Sequence, residues 1–233
     1  MQRVIGIDFG TTNTVMSVLE PDGSTRTATF GPELLATFRS VLCFWSDEAR
    51  GVRTLHSAAG PAAIEAYLDD PLDSRLIMSM KSYLAQRSFT QTTLFGRNVT
   101  LEQLVSIFLR AFLAASGVEV AGARIVVGRP VKFAGETADD DFGDERLRAG
   151  FSAAGMAGVD VAFEPEAAGY RFARGLERAA TVLIGDFGGG TSDFSIVRFD
   201  GGRVTPIATT GVGIAGNCPL TAVSDCPTIC HCC

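Results

Sequence analysis

The chain has 233 residues, 46% hydrophobic and 20% charged, with a net charge of −6. That length and apolar content allow a buried core and exclude a disordered chain. The acidic balance argues against a nucleic-acid footprint. No window approaches a membrane span, because Arg110 breaks the best run, residues 101–115. No signal-peptide pattern opens the sequence, since Asp8 interrupts the only early apolar run. The expectation is a cytoplasmic protein with neither a nucleic-acid nor a membrane partner. Cysteine usage is lopsided: Cys43 stands alone in the body, and the others crowd the tail from Cys218 onward. The body therefore reads as a reduced cytosolic protein.

Taken in chain order, residues 3–9 predict a buried strand and residues 15–19 its hairpin partner. Residues 25–30 follow as a third strand after the turn at Pro21-Asp22-Gly23, and residues 41–45 as a fourth. The pattern then turns helical. Residues 58–68 predict a helix ending before Pro71. Residues 72–84 predict another, with Leu72, Leu76, Met80 and Leu84 on one face and Lys81 beside it. Residues 92–99 read as a small hairpin around Gly96-Arg97. The clearest helix is 100–116, with Thr100 as N-cap, Gln103 at the capping-box position and Gly117 as its stop. Residues 124–128 predict a short buried strand stopped by Pro130. The acidic stretch 136–145 reads as a solvated loop and helix entry, leading into a helix over 144–154. A strand at 159–163 and a helix at 167–174 follow. Strands at 182–187, 195–199 and 204–208 close the series. A hairpin meander followed by strand–helix alternation predicts an α/β fold with a mixed sheet. Residues 41–116 interrupt the alternation as a possible inserted subdomain.

One stretch stands out chemically: Ile184-Gly185-Asp186-Phe187-Gly188-Gly189-Gly190-Thr191-Ser192-Asp193. A carboxylate ends a strand, three glycines turn the chain, and a hydroxyl and a second carboxylate follow. Glycine lets backbone approach a ligand closely, and successive N–H groups in such a turn make an anion-binding concavity. An ordinary hairpin turn is the bland alternative. An echo near the start argues against it: Gly6-Ile7-Asp8-Phe9-Gly10-Thr11-Thr12-Asn13-Thr14 repeats the pattern with one residue fewer. Two copies suggest an internal duplication, and two facing hairpins could clamp one polyphosphate.

These residues carry a resemblance. The segment from Ile7 to Asn13 resembles the first phosphate motif of the actin-like ATPase superfamily, and the segment from Asp186 to Asp193 resembles its second. Phe163-Glu164-Pro165-Glu166-Ala167-Ala168-Gly169-Tyr170 resembles the connecting segment of the DnaK-type heat-shock chaperones, with the divergent YegD-like members as nearest relatives. The resemblance spans residues 2–216. It implies an actin-like ATPase (ribonuclease H-like) lobe, with a first lobe over 1–183, an inserted α+β subdomain at about 40–116, and the beginning of a second lobe over 184–216. It implies ATP or ADP with Mg²⁺ as ligands. By the same resemblance, Asp8 and Asp186 hold the metal largely through waters, and Asp193 assists a monovalent ion such as K⁺ or the attacking water. Gly10, Thr11, Thr12 and Asn13 contact phosphate on one side. Gly188, Gly189, Gly190 and Thr191 cradle it on the other, with Thr191 near the γ-phosphate and Gly213 in a further glycine-rich loop. Glu164 positions the nucleophilic water, and Lys81 supplies charge to the transferred phosphoryl group. Read from the residues alone, Lys81 beside an apolar stripe would snorkel to water.

Two other patterns are decoys. Gly211-Val212-Gly213-Ile214-Ala215-Gly216 matches a dinucleotide fingerprint, but Pro219 follows where a helix should open. The tail Cys226-Pro227-Thr228-Ile229-Cys230-His231-Cys232-Cys233 has zinc-ligand types at no standard spacing. It reads as a non-family tail over 217–233, from an altered frame or a cloning tail. The family grips adenosine beyond the matched residues, so the resemblance implies a fragment that binds nucleotide weakly or not at all. Unfolded polypeptide and co-chaperones are partners through the parent protein. Alternatives sharing the motifs are an actin-like filament protein, a sugar kinase, or a non-catalytic nucleotide-regulated scaffold or reactivating factor.

Overall fold

The computed structural model describes residues 2–49, 52–135, 137–173, 176, 178–188, 192–200, 203–212 and 230–231. Strand β1 (Val4–Phe9) and β2 (Asn13–Leu19) form an antiparallel hairpin, and β3 (Thr25–Thr27) adds to the outer edge of β2. β1 alternates in burial: Ile5, Ile7 and Phe9 face the core, while Asp8 points the other way. This is the period-two pattern of a strand with one covered face. β3 ends at Thr27 rather than continuing to 30. The chain leaves the sheet there to place Phe30 in the core, its ring 5.2 Å from those of Phe38 and Phe112. β4 (Phe38–Arg39) then returns to pair with the start of β2.

A second sheet follows. β5 (Leu42–Ala49) and β6 (Val52–Ala59) make a hairpin, and α1 (Pro61–Asp69) begins after Gly60 with proline in its first turn. The sequence reading placed a helix start at 58 and missed β6, whose side chains are mostly exposed and lack an alternating apolar signal. The helix expected over 72–84 is also absent. Ser74–Ile77 is strand β7, paired antiparallel with β5, and Met80–Tyr83 is a short 3₁₀ turn entered through Ser79 at φ 57°. The four-residue spacing of leucines was coincidental. Leu72 is 94% exposed whereas Met80 and Leu84 are buried, so they share no face. The open edge of β5 offered a backbone partner that overrode the helical pattern.

β8 (Gln91–Leu94) and β9 (Arg97–Thr100) form the expected small hairpin. It runs directly into α2 (Leu101–Ser116), whose capping box at Thr100 and Gln103 is complete and whose end is Gly117 at φ 61°. β10 (Arg124–Arg129) lies parallel to β1. α3 (Asp140–Ala153) starts earlier than expected. Asp139 caps it, accepting from the Phe142 N–H at 3.0 Å, and Asp140 and Asp141 occupy its first turn. The acidic stretch is therefore partly helical, for acids are favourable at the positive end of a helix. β11 (Asp160–Phe163) pairs parallel with β10, giving a mixed sheet in the order β11-β10-β1-β2-β3. α4 (Glu164–Ala173) also starts sooner than predicted, with Pro165 in its first turn.

β12 (Ala180–Phe187), β13 (Ser192–Asp200) and β14 (Arg203–Val212) form an antiparallel meander, with β15 (Cys230–His231) parallel to β12. The main core lies where α2 and α3 cover the mixed sheet. Phe9, Phe108 and Phe151 are fully buried there, with Phe9 5.6 Å from Phe108 and 6.5 Å from Phe151. Each such burial contributes about 1.5–3 kcal/mol. A smaller core of Val182, Ile184, Val197 and Phe199 packs beside Ala168 of α4. Among the described residues, no helix is long and apolar enough to cross a membrane.

Candidate functional site

The two hairpins that echo each other in sequence face one cavity of about 340 Å³. The first contributes Asp8, at the C-terminal end of β1. Because Phe9 and Ile7 anchor the core face, the alternate residue Asp8 must face out of the sheet. The turn after β1 is tight: the Gly10 N–H donates to the Asn13 carbonyl at 3.0 Å. A Cβ on Gly10 would sit 2.2 Å from that oxygen, so only glycine fits. Gly10, Thr11, Thr12 and Asn13 all line the cavity. The far side of the turn is pinned from below. The Ser40 N–H donates to the Thr12 carbonyl at 2.9 Å, and the buried Thr14 and Ser40 hydroxyls lie 2.9 Å apart. Asn13 Oδ1 accepts from Arg39 Nη1 at 3.2 Å, so its carbonyl oxygen is turned toward β4.

The second hairpin contributes Asp186, Phe187 and Gly188. Asp186 pairs across the ladder with Asp193. Burial and the nearby Asp8 charge raise the Asp186 carboxyl above the usual range, with Lys81 opposing and Asp193 adding to the rise. Asp193 is 1% exposed and lies on the same face of the sheet as Asp186, packed against Gly211 of β14. A Cβ on Gly211 would lie 2.3 Å from Asp193 Oδ1 and 3.1 Å from the Lys132 backbone nitrogen. Gly211 thus lets β14 close on both. Gly189, Gly190, Thr191 and Gly213 lie outside the described residues.

Between the hairpins sit Lys81 and Glu164, which donate and accept one hydrogen bond although 83 positions separate them. Their side chains are 8% and 13% exposed. Lys81 comes from the 3₁₀ turn, whose neighbours Met80 and Leu84 are buried and hold it against the sheet. Its lysine does not snorkel to water. Burial disfavours its charge, but Glu164, Asp8 and Asp186 outweigh that and raise its pKa. Glu164 opens α4 directly after β11. Burial pushes its carboxyl up to about 7; Asp8 and Asp186 add to the rise and Lys81 opposes it. The cluster thus gathers three carboxylates and one ammonium, with Lys81 and Glu164 buried and Asp8 open to solvent, and a cation would relieve the excess negative charge.

Gly128, at the end of β10, is a residue the sequence reading passed over. A Cβ there would lie 3.2 Å from Glu164 Cγ and 3.8 Å from Asp8 Oδ1. The bare backbone lets the Glu164 side chain pack closely against the strand end, and Asp8 lies in ordinary contact beside it. Pro130 and Phe133 line the adjoining wall. Phe133 is fixed by its N–H donating to Asp140 Oδ1 at 2.9 Å and by the Arg129 guanidinium 4.9 Å above its ring. The signal was present as Gly128-Arg129-Pro130 after an apolar strand, and was read only as a strand stop.

The donor set can be tested against Mg²⁺. That ion keeps several waters and uses one or two carboxylates. Asp8 and Asp186 line one cavity, and among the described residues no group of three or more His, Cys, Asp or Glu side chains is placed to hold a metal. The residues fit a hydrated hard cation held by few carboxylates, and offer no soft ligand.

No protein-family profile matches the chain. It is 30% identical over 220 residues to a chaperone protein dnaK of Gracilaria tenuistipitata var. liui, an alignment covering 91% of this chain and 35% of that protein. The chain therefore spans about a third of the length of the curated relative it matches. A mixed α/β fold compatible with an actin-like ATPase, joined to that similarity, supports a relationship between this chain and the DnaK-type chaperones.

Proposed function

We propose that this chain is the phosphate-binding part of an ATP-hydrolysing DnaK-type chaperone, of the divergent YegD-like kind. The observation that supports this best is the gathering of Asp8, Lys81, Glu164 and Asp186 around one cavity from four distant parts of the sequence. Asp8 and Asp186 hold Mg²⁺ largely through water, and the bound ion supplies charge neutralisation to the nucleotide phosphates. The backbone of Gly10, Thr11, Thr12 and Asn13 meets the phosphates on one side. Gly188, Gly189, Gly190 and Thr191 meet them on the other, with Gly213 in a further loop. Lys81 presents its ammonium to the transferred phosphoryl group, in a reaction that is mostly positioning and charge stabilisation. Glu164 orients the attacking water, and Asp193 assists a monovalent ion such as K⁺ or that same water.

In this reading residues 1–183 form a first lobe with an inserted subdomain at about 40–116, and residues 184–216 begin a second. Unfolded polypeptide and co-chaperones are partners of the longer protein. These residues hold the phosphates of Mg-ATP, and contact to the phosphates alone gives weak binding. Calorimetry tests this: a weak heat that disappears in Asp186→Asn is expected, and a heat indifferent to that substitution overturns the reading. Phosphoryl transfer to any member of a sugar panel would move the chain to the kinases of the same superfamily.

A further inference from the structure

The segment that carries Lys81 has little structure of its own. Its internal backbone bonds are isolated turns: Leu84 N to the Lys81 carbonyl at 3.2 Å, Gln86 N to Tyr83 at 3.2 Å, and Phe89 N to Gln86 at 3.1 Å. Single turns of this kind are not self-supporting. Yet Lys81 is only 7% exposed and meets Glu164. Besides the burial of Met80, Leu84 and Ala85, what fastens the segment is α3. Arg146, on that helix and 4% exposed, sends Nη1 to the carbonyls of Phe89 at 2.9 Å, Tyr83 at 3.3 Å and Leu84 at 3.4 Å. Its Nε donates to Glu102 Oε1 of α2 at 2.5 Å, and its guanidinium stacks 5.1 Å from the Phe142 ring. A second tie lies about two turns earlier, at the helix cap. The Asp139 N–H donates to the Ala85 carbonyl at 3.0 Å, and Arg87 Nε donates to Asp139 Oδ2 at 2.8 Å.

We propose that Arg146 is a positioning residue that clamps residues 80–89 onto α3 and so holds the Lys81 ammonium at Glu164. A charged fork buried among carbonyls is an expensive way to fill space, but it suits a loop with no ladder to join. Only arginine has the planar donors to reach a carboxylate and several carbonyls together. Because Leu84 N–H closes on the Lys81 carbonyl, the carbonyls Arg146 holds sit at the end of the turn that orients the lysine. The importance of the clamp for catalysis rests on the proposed role of Lys81, but its physical existence does not.

The sequence permits a direct test, since Lys81 and the exposed Lys132 are its only lysines. Acetylation by an activated ester, read by mass spectrometry, should label Lys132 quickly and Lys81 slowly. In Arg146→Met the Lys81 rate should rise about tenfold, the change expected from losing one or two buried hydrogen bonds. Arg146→Lys should be intermediate, Lys132 should not change, and amide exchange in β1 and β10 should stay slow. Glu102→Gln, which leaves the guanidinium but removes its carboxylate, tests the clamp by a milder route. Unchanged Lys81 labelling in both Arg146→Lys and Glu102→Gln, or in a folded Arg146→Met, overturns the clamp. Faster labelling in a chain whose Mg-ATP heat is indifferent to Asp186→Asn keeps the clamp and overturns the nucleotide reading instead.

Discussion

The two acidic hairpins are alike in sequence but differently supported. Behind Asp8 lies the main core, where β1 is covered by α2 and α3 and Phe9 meets the rings of Phe108 and Phe151. Behind Asp186 lies a small cluster of Val182, Ile184, Val197 and Phe199, backed by α4. The outer surface of that second meander also shows Ile196 at 40% and Ile207 at 57% exposure. The first carboxylate is thus held by a deep packed layer and the second by a thin one. A repeated motif specifies the local turn and the direction of the acid, whereas its stiffness depends on what is packed behind it.

Substitutions can break this comparison at either side. The largest effect is expected in the main core: Phe108→Ala should destabilise the chain by about 3–5 kcal/mol, read by urea denaturation. Phe199→Ala, the matching truncation behind the second hairpin, should cost less, about 3 kcal/mol at the low end of that range. Equal losses would mean the two cores are of one depth. Between the hairpins, Lys81→Met leaves the Glu164 carboxylate buried without its partner, and removal of one partner from a buried pair costs about 3–5 kcal/mol. The double variant Lys81→Met with Glu164→Leu should recover most of that loss, and failure to recover would show that the pair is not the cause. Gly10→Ala forces a Cβ onto the Asn13 carbonyl and should cost about 1–3 kcal/mol by overpacking. The same variant should weaken any Mg-ATP heat, because the turn must open.

The smallest effect concerns acid. The Asp139 carboxyl is held below its usual value, first by the Phe142 N–H and then by Arg87. A carboxyl with a depressed folded pKa binds fewer protons folded than unfolded. Its contribution is therefore present above the ordinary aspartate pKa and is lost as pH falls through the lower folded value. Thermal melts of the wild type and Asp139→Ala should converge on acidification below that range. A gap that persists at low pH would assign the stabilisation to something other than the carboxylate.

Local signals read well from the residues. The β1–β2 hairpin, the β8–β9 hairpin, the complete capping box of α2 and its Gly117 stop all lie where propensity and caps place them. Elements whose identity rests on a distant partner did not read well. β7 is a strand only because β5 has an open edge, and β6 is a strand only because β5 pairs with it. The start of α3 moved to Asp140 because Asp139 found both the Phe142 N–H and Arg87, a partner 52 positions away.

The same division runs through the site. By itself the sequence determined the two acidic turns, since a strand end, a glycine that no Cβ can replace and the following hydroxyls are local chemistry. It also determined the order of the motifs that carry the family resemblance. Only the tertiary structure decided that Lys81 is buried against Glu164 rather than snorkelling from a helix, and that Gly128 leaves room for the Glu164 side chain. It likewise decided that the Asp193 carboxylate is buried against Gly211 of β14, which has no Cβ to hold it off. Backbone turns are set by neighbours in the chain, but burial and charge pairing are set by neighbours in space, and those are chosen only when the sheets and helices pack.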